Sequence, residues 1–288
     1  MQPIETELKN FRQQFDQRAE KYFAELAQSN GSNSLLHESK IYSFFSGGKR
    51  FRPFLSYITA QALQLKLDDI FPIALATELI HTYSLIHDDL PCMDNDDFRR
   101  GQPTNHKKFG EDIALLAGDA LLTDAFAVLT DLATSQRVKP ETVLRIIKEF
   151  SIATGSVGMV SGQTWDMKAD KDITYDQLKQ IHQLKTGRLI ENAVTAVAVL
   201  AQISKDQIAH FKTYGLNLGL AFQIKDDLLD TKENSQDAKS FPFLIGVEKT
   251  QAELSRVTTS AEMALAYLSE YRCESLKFLL DYNLQRNS

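Results

Sequence analysis

The chain has 288 residues but only 13 glycines and 7 prolines, well below the combined share of roughly 12% in an average protein. A hydrophobic content of 43% excludes disorder, and so few turn-formers argue against a many-stranded β sandwich or barrel. A formal net charge of −6 makes nucleic acid a poor partner, and two cysteines, Cys92 and Cys273, are too few for a disulfide framework.

Helical periodicity dominates from the start. Residues 4–28 place Leu8, Phe11, Phe15, Tyr22, Phe23 and Leu26 on one broad stripe, which predicts a helix. QSNGSNS (28–34) reads as a loop, and a short helix from Leu35 is expected to end at Gly47-Gly48. Pro53 falls early in the next helix, where a missing N–H is tolerated. A long buried helix is expected over 71–90, with Pro72 near its start. Two more are expected over 112–133 and 141–168. Residues 172–202 read as another, capped by Asp172 or Thr174, and Ser204 caps one that runs to about Asp230. The polar TKENSQDAKS follows as a loop, and 248–286 is helical again. No period-2 run is long enough for a strand, and no linker marks a boundary, so one all-α domain over 1–288 is expected. The polar N-terminal stretch lacks signal-peptide character, and no apolar run approaches the roughly 18 residues of a membrane span. The expectation is a soluble, cytoplasmic protein.

Two acidic clusters stand out. Five of the ten residues from Asp88 to Asp97 are aspartates, and they follow the apolar stretch ALATELIHTYSLIH. Carboxylates gathered at the end of a core helix repel one another unless cations hold them. Arg99 and Arg100 follow at once, which adds a site for an anion. On a straight helix Asp88 and Asp94 would point about 240° apart, so Pro91 is expected to break the helix and let them converge. In the second cluster Gln223, Asp226, Asp227 and Asp230 stand at i, i+3, i+4 and i+7, on one helix face. Oxygen-only donors without Cys or clustered His select Mg²⁺ over Zn²⁺, and Mg²⁺ commonly completes its shell with phosphate oxygens.

Basic residues supply the other half of such a site. FSGGKRFRP (45–53) sets two glycines before Lys49, Arg50 and Arg52, where backbone and side chains can approach an anion. Lys185 and Arg188 interrupt an otherwise amphipathic helix in LKTGRL. His81 lies one to two turns before Asp88 on the same face.

These segments resemble the trans-prenyl diphosphate synthase family over nearly the whole chain. HDDLPCMDNDDFRRGQPTNH (87–106) and FQIKDDLLD (222–230) are similar to its two aspartate-rich motifs. GGKRFRP (47–53), GQTWDM (162–167) and LKTGRLIENAV (184–194) resemble further segments in order and spacing. DYNLQRN (281–287) resembles the end of bacterial C15-producing members. The resemblance implies a helical bundle around a deep apolar cavity, usually a homodimer. It implies condensation of isopentenyl diphosphate with dimethylallyl or geranyl diphosphate to give farnesyl diphosphate. Asp88 and Asp94 would hold two Mg²⁺ ions and Asp226 a third, with Asp89, Asp227 and Asp230 in support. Arg99, Lys185 and Gln223 would hold the allylic diphosphate. Lys49, Arg52, His81 and Arg100 would hold isopentenyl diphosphate, and Thr186 would line the reaction zone. Tyr83 and Ser84, five and four residues before Asp88, would set product length.

One segment departs from the family pattern. After Asp230 relatives carry a longer loop with a glycine-lysine pair, whereas TKENSQDAKSFPFLIG has no glycine before Gly246. Lys239, Lys232 or Lys225 could replace the missing lysine. Other readings are a C20- or C10-producing enzyme, a terpene cyclase, an HD-type metal phosphohydrolase at His87-Asp88, and a catalytically weakened partner subunit. A cyclase would not need Lys49, Arg52 and His81.

Overall fold

The computed structural model describes residues 2–29, 34–134, 138–169, 172–230 and 238–286. Their backbone is almost entirely helical, as the scarcity of turn-formers predicts, and it falls into two compact units. An N-terminal unit holds Gln2–Phe54 and Asp68–Lys139, and a C-terminal unit holds Leu55–Leu67 and Pro140–Ser288.

In the N-terminal unit α1 (Gln2–Ser29) and α2 (Ser34–Phe44) are followed by the start of α3 (Phe51–Ala62) and by α4 (Leu67–Asp88). The phenylalanine stripe of α1 builds the core here. Phe15 lies 6.4 Å from Phe44 and 5.9 Å from Phe71, Phe11 lies 5.6 Å from Phe54, and Phe23 lies 5.0 Å from Phe44. Such ring pairs add about 0.5–1.5 kcal/mol each beyond simple burial. Helix α4 is buried on every side, with Ile70, Ile73, Leu75, Leu79, Ile80, Tyr83 and Ile86 spread around it. It starts four residues earlier than expected, so Pro72 lies inside it and denies the Asp68 carbonyl a helical donor.

Two-residue strands β1 (Phe98–Arg99) and β2 (Gln102–Pro103) form a hairpin with Phe98 opposite Pro103. Helices α5 (Asn105–Phe109) and α6 (Glu111–Thr130) and a 3₁₀ turn, Asp131–Ala133, complete the described part of the unit. Helix α6 buries Ala114, Ala117, Leu121, Ala125 and Leu129, yet Leu115 and Leu116 are 47% and 52% exposed. The stretch Glu111–Ala133 is long and apolar enough to cross a membrane, against the expectation that no such run exists. Asp119 and Asp124 interrupt it in sequence, but Asp124 pairs at 2.8 Å with the buried Lys40 of α2.

The C-terminal unit contains α7 (Pro140–Thr154), α8 (Met159–Lys168), α9 (Tyr175–His182), α10 (Arg188–Leu200) and α11 (Lys205–Asp230). Then come α12 (Phe241–Ile245), α13 (Val247–Ala266) and α14 (Glu274–Gln285). Every residue of α10 from Leu189 to Leu200 is buried, between α7 and α11. The single helix expected over 141–168 is instead two, α7 and α8. Gly155 and Gly158 turn the chain between them, and a Cβ at Gly158 would collide with the Ala153 carbonyl. Thr174 caps α9 in a reciprocal capping box with Gln177, and Ser204 does the same with Gln207 at the start of α11. The helix expected over 172–202 carries a π-helical turn, Gln183–Gly187, between α9 and α10.

Candidate active site

Around the first acidic motif the chain leaves helical geometry on purpose-built turns. Helix α4 ends at Asp88, and the Asp94 N–H donates back to the Asp88 carbonyl at 2.8 Å. The helix therefore ends before Pro91, as expected, and the backbones of the two aspartates are brought within hydrogen-bond distance. Left-handed backbone clusters here, at Asn95 (φ 55°), Arg100 (φ 54°) and Arg50 (φ 51°). Such positions cost about 1–3 kcal/mol in a non-glycine residue and concentrate at functional sites. The β1–β2 hairpin turns on Arg100-Gly101, which sends Arg99 and Arg100 in different directions.

Arg99 donates from Nε to Asp89 at 2.7 Å, and its Nη2 lies 2.6 Å from the same oxygen. Burial pushes the Asp89 carboxyl up, and the Arg99 hydrogen bond and charge oppose that. Arg100 donates to the Gly47 carbonyl. A Cβ on Gly48 would stand 2.7 Å from the Arg100 guanidinium, so the glycine pair lets the backbone pass beneath it. Arg50, between the predicted ligands Lys49 and Arg52, serves the fold instead. It is 3% exposed, donates to Asp16 at 2.8 Å and Glu78 at 2.7 Å, and lies 4.7 Å over the Phe44 ring. Lys49 beside it is exposed and Arg52 half-buried. His81 sits among these cations: burial, then Arg52, Arg100, Arg50 and Arg99, hold its imidazole well below its ordinary range. It is therefore neutral at pH 7 and presents one N–H. Ser84 donates to the His81 carbonyl at 2.9 Å. Tyr83 is 6% exposed, its ring 5.7 Å from His87, and burial with the Asp88 charge raises its hydroxyl to about 12.

The second motif is assembled in the C-terminal unit. Gln223 donates from Nε2 to Asp226 at 3.4 Å, on the shared face of α11. Arg286 of the C-terminal segment donates to Asp226 Oδ1 at 2.5 Å and to the Phe222 carbonyl at 3.0 Å, with its guanidinium 4.2 Å over the Phe222 ring. Asp227 accepts the Phe241 N–H at 2.8 Å, which ties the end of the loop to α11. His182 stacks on Phe241 at 5.3 Å and lies 3.8 Å from Asp227. Asp230 is exposed.

Lys185 and Thr186 stand in the π-helical turn, a feature common at functional sites. Helix α8 packs directly on that turn, since a Cβ on Gly162 would collide with the Lys185 backbone nitrogen. Asp166, one turn further along α8, accepts from Lys185 at 2.6 Å. Lys239 donates to the Asp166 carbonyl at 2.6 Å and lies 3.7 Å from its carboxylate. Burial alone would raise the Asp166 carboxyl, but Lys185, Lys239 and His182 outweigh it and hold it below the ordinary range. Of the three candidate lysines, Lys225 donates to the Leu284 carbonyl at 2.7 Å, Lys232 lies outside the described residues, and Lys239 joins Lys185. Arg188, flagged with Lys185, pairs with Glu191 at 2.9 Å.

Asp166 and Arg286 carried no assigned role in the sequence reading. Each lies in a segment that the resemblance singles out, GQTWDM and DYNLQRN, and that was the available signal. Among the described residues no three His, Cys, Asp or Glu side chains form a ready metal cluster. The donor chemistry nevertheless suits a hard cation: carboxylate oxygens at the Asp88–Asp94 turn and on α11, where the Arg286 guanidinium already faces Asp226.

The chain thus carries two aspartate clusters, one in each unit, each met by an arginine. The polyprenyl synthetase family matches residues 33–241. The chain is 42% identical over 269 residues to the farnesyl diphosphate synthase of Micrococcus luteus, covering 89% of this chain and 91% of that one. It is 40% identical to the Bacillus subtilis farnesyl diphosphate synthase, covering 81% and 83%. A solved FPP/GFPP synthase from Zymomonas mobilis superposes with a TM-score of 0.86 at 34% identity, covering 96% and 99%. A geranyltransferase from Legionella pneumophila does so with 0.85 at 33%, covering 99% of both. The chain belongs to the polyprenyl synthetase family, and its fold is the all-α fold of these enzymes.

Proposed function

We propose that the chain is a trans-prenyltransferase that condenses isopentenyl diphosphate with dimethylallyl and geranyl diphosphate to give farnesyl diphosphate. The observation that carries this reading is the cluster of His81, Arg52 and Arg100 in the unit that also holds the Asp88–Asp94 turn. A cyclase acting on one diphosphate has no use for a second set of anion ligands. The 40–42% identity to farnesyl diphosphate synthases supports the C15 product. Plant geranylgeranyl synthases at 37–38% identity favour C20 as the second reading.

Asp88, Asp94 and Asp226 are assigned to three Mg²⁺ ions, which when bound supply charge neutralisation to the departing diphosphate. Arg99, Lys185, Gln223 and Lys239 hold the allylic diphosphate. Lys49, Arg52, His81 and Arg100 hold the isopentenyl diphosphate, the arginines through two parallel hydrogen bonds. A neutral His81 adds a hydrogen bond without repelling the arginines around it. Thr186 lines the reaction zone, and the enclosing helices keep water from the allylic cation. The whole chain, 1–288, works as one functional domain. It acts as a cytoplasmic homodimer with no membrane span, the second copy covering the exposed Leu115 and Leu116 of α6.

Incubating the protein with Mg²⁺, labelled isopentenyl diphosphate and each allylic primer, then sizing the products, tests the reading. A C15 product is expected. No incorporation with any primer overturns it, and hydrocarbon formed without isopentenyl diphosphate points to a cyclase. Tyr83→Ala is expected to lengthen the product, because it opens buried space one turn before Asp88. An unchanged C15 product from that variant removes Tyr83 as the length determinant.

A further inference from the structure

Asp166 is held by no element of the acidic motifs, yet two predicted diphosphate ligands converge on it. Lys185 comes from the π-helical turn and Lys239 from the segment before α12, and both ammonium groups donate to this one residue. Gly162 lets α8 lie against the Lys185 backbone, and Asp166 stands at i+4 from that contact on the same helix face. Both ammonium groups are thus gathered at one carboxylate. Lysine is a flexible ligand that loses rotamer entropy on being fixed. The Asp166 carboxylate binds Lys185 at 2.6 Å and lies 3.7 Å from Lys239, which the Asp166 main-chain carbonyl also holds, so one residue sets both heads before substrate arrives.

We propose that Asp166 is a positioning residue that sets Lys185 and Lys239 as a pair to clamp the diphosphate. The inference rests on the assignment of the allylic diphosphate to these lysines. Preorganised charge acts where charge develops, so its loss falls on turnover rather than on ground-state binding. Removing the carboxylate also leaves the lysines more attractive to an anion at rest.

Asp166→Asn, Lys239→Gln and the double variant of the full chain test it, with the fold monitored by circular dichroism and melting temperature. Asp166→Asn is expected to lower kcat about tenfold while KM for the allylic diphosphate changes less than about threefold. In the Lys239→Gln background the same change costs less, because one of the two positioned ammonium groups is already gone. Asp166→Glu recovers part of kcat. Unchanged kcat in Asp166→Asn, or an equal loss with and without Lys239, overturns the proposal.

Calorimetry with inorganic diphosphate and Mg²⁺ keeps the inference testable apart from the reaction. Lys239→Gln is expected to weaken binding several-fold and Asp166→Asn to leave it as tight or tighter. Should the unaltered protein transfer no prenyl group, the proposed function fails while this measurement still judges the lysine pair. Lys239→Gln is substituted at a partly exposed site, so it reports even if Asp166→Asn does not fold. Unweakened diphosphate binding in Lys239→Gln overturns the clamp.

Discussion

Asp88 and Asp94 come together because a helix stops between them, whereas Gln223, Asp226, Asp227 and Asp230 share a face because a helix continues. In the first motif the ordering partners are local: Arg99, in the first strand of the hairpin, reaches Asp89 ten residues back. In the second they arrive from far along the chain. Arg286 reaches Asp226 from sixty residues on, and the Phe241 N–H reaches Asp227 from fourteen. The first motif pre-forms its ion pairs through turn geometry and accepts left-handed backbone at Asn95 and Arg100 to do so. The second depends on α14 and the post-α11 segment being in place. A local site tolerates changes elsewhere in its unit; a site built from distant segments does not.

Breaking the local pair gives the largest effect. Arg99→Ala leaves Asp89, 3% exposed, without its principal cation. An uncompensated buried charge of this kind costs about 3 kcal/mol or more, discounted here because the Arg99 side chain is 31% exposed, to about 2–3 kcal/mol. Urea denaturation at pH 7 measures it. Burial already pushes the Asp89 carboxyl up, so without Arg99 its protonated form gains further and the deficit shrinks as pH falls. A deficit that is constant with pH would show that packing, not charge, is lost.

Breaking the distant tie costs less. Arg286 is 8% exposed, but Asp226 is partly open to solvent, so Arg286→Ala leaves a carboxylate that water can reach. Loss of its hydrogen bonds and of the contact with Phe222 is expected to destabilise by about 1–2 kcal/mol. Hydrogen exchange should localise the loss to α14 and the end of α11, and leave the β1–β2 hairpin protected. Exchange that rises equally in the hairpin would dissolve the distinction between the two motifs.

The same contrast decides what was legible in the sequence. The helices, Pro91 as a helix stop, and the caps at Thr174 and Ser204 all rest on chemistry within a few residues, and sequence spacing reports such chemistry directly. The break at Gly155–Gly158 and the π turn at Lys185 were not legible. The π turn depends on the backbone of α8 packed against it, and the break needs the backbone path that brings Gly158 onto the Ala153 carbonyl, which spacing alone does not report. Arg50 stands between two expected ligands without a role of its own, and only the positions of Asp16 and Glu78 show that it ties the core. Asp166 and Arg286 were visible as letters in familiar segments, but their partners lie nineteen to seventy-three residues away. Long-range pairing leaves no mark on local spacing.

A distant ion pair away from both motifs sharpens the comparison by testing reach without function. Glu253 of α13 takes Arg256 through both oxygens at 2.7 Å and also Lys179 of α9 at 3.2 Å. The hydrogen bond from Arg256 comes first among the causes that hold its carboxyl at about 2, against an ordinary 4.5; burial opposes it. A depressed carboxyl stabilises the fold fully above its ordinary value, and that stability drains away as pH falls from about 4.5 toward 2. Arg256 is 56% exposed, so solvent screening reduces the contribution to about 1 kcal/mol. Glu253→Gln is therefore expected to cost about 1 kcal/mol at pH 7 and to converge with the unaltered protein as pH falls through that window. If the gap instead stays constant down to pH about 2, Glu253 acts by shape alone, and charge reaching across seventy-four residues contributes only where it meets the acidic motifs.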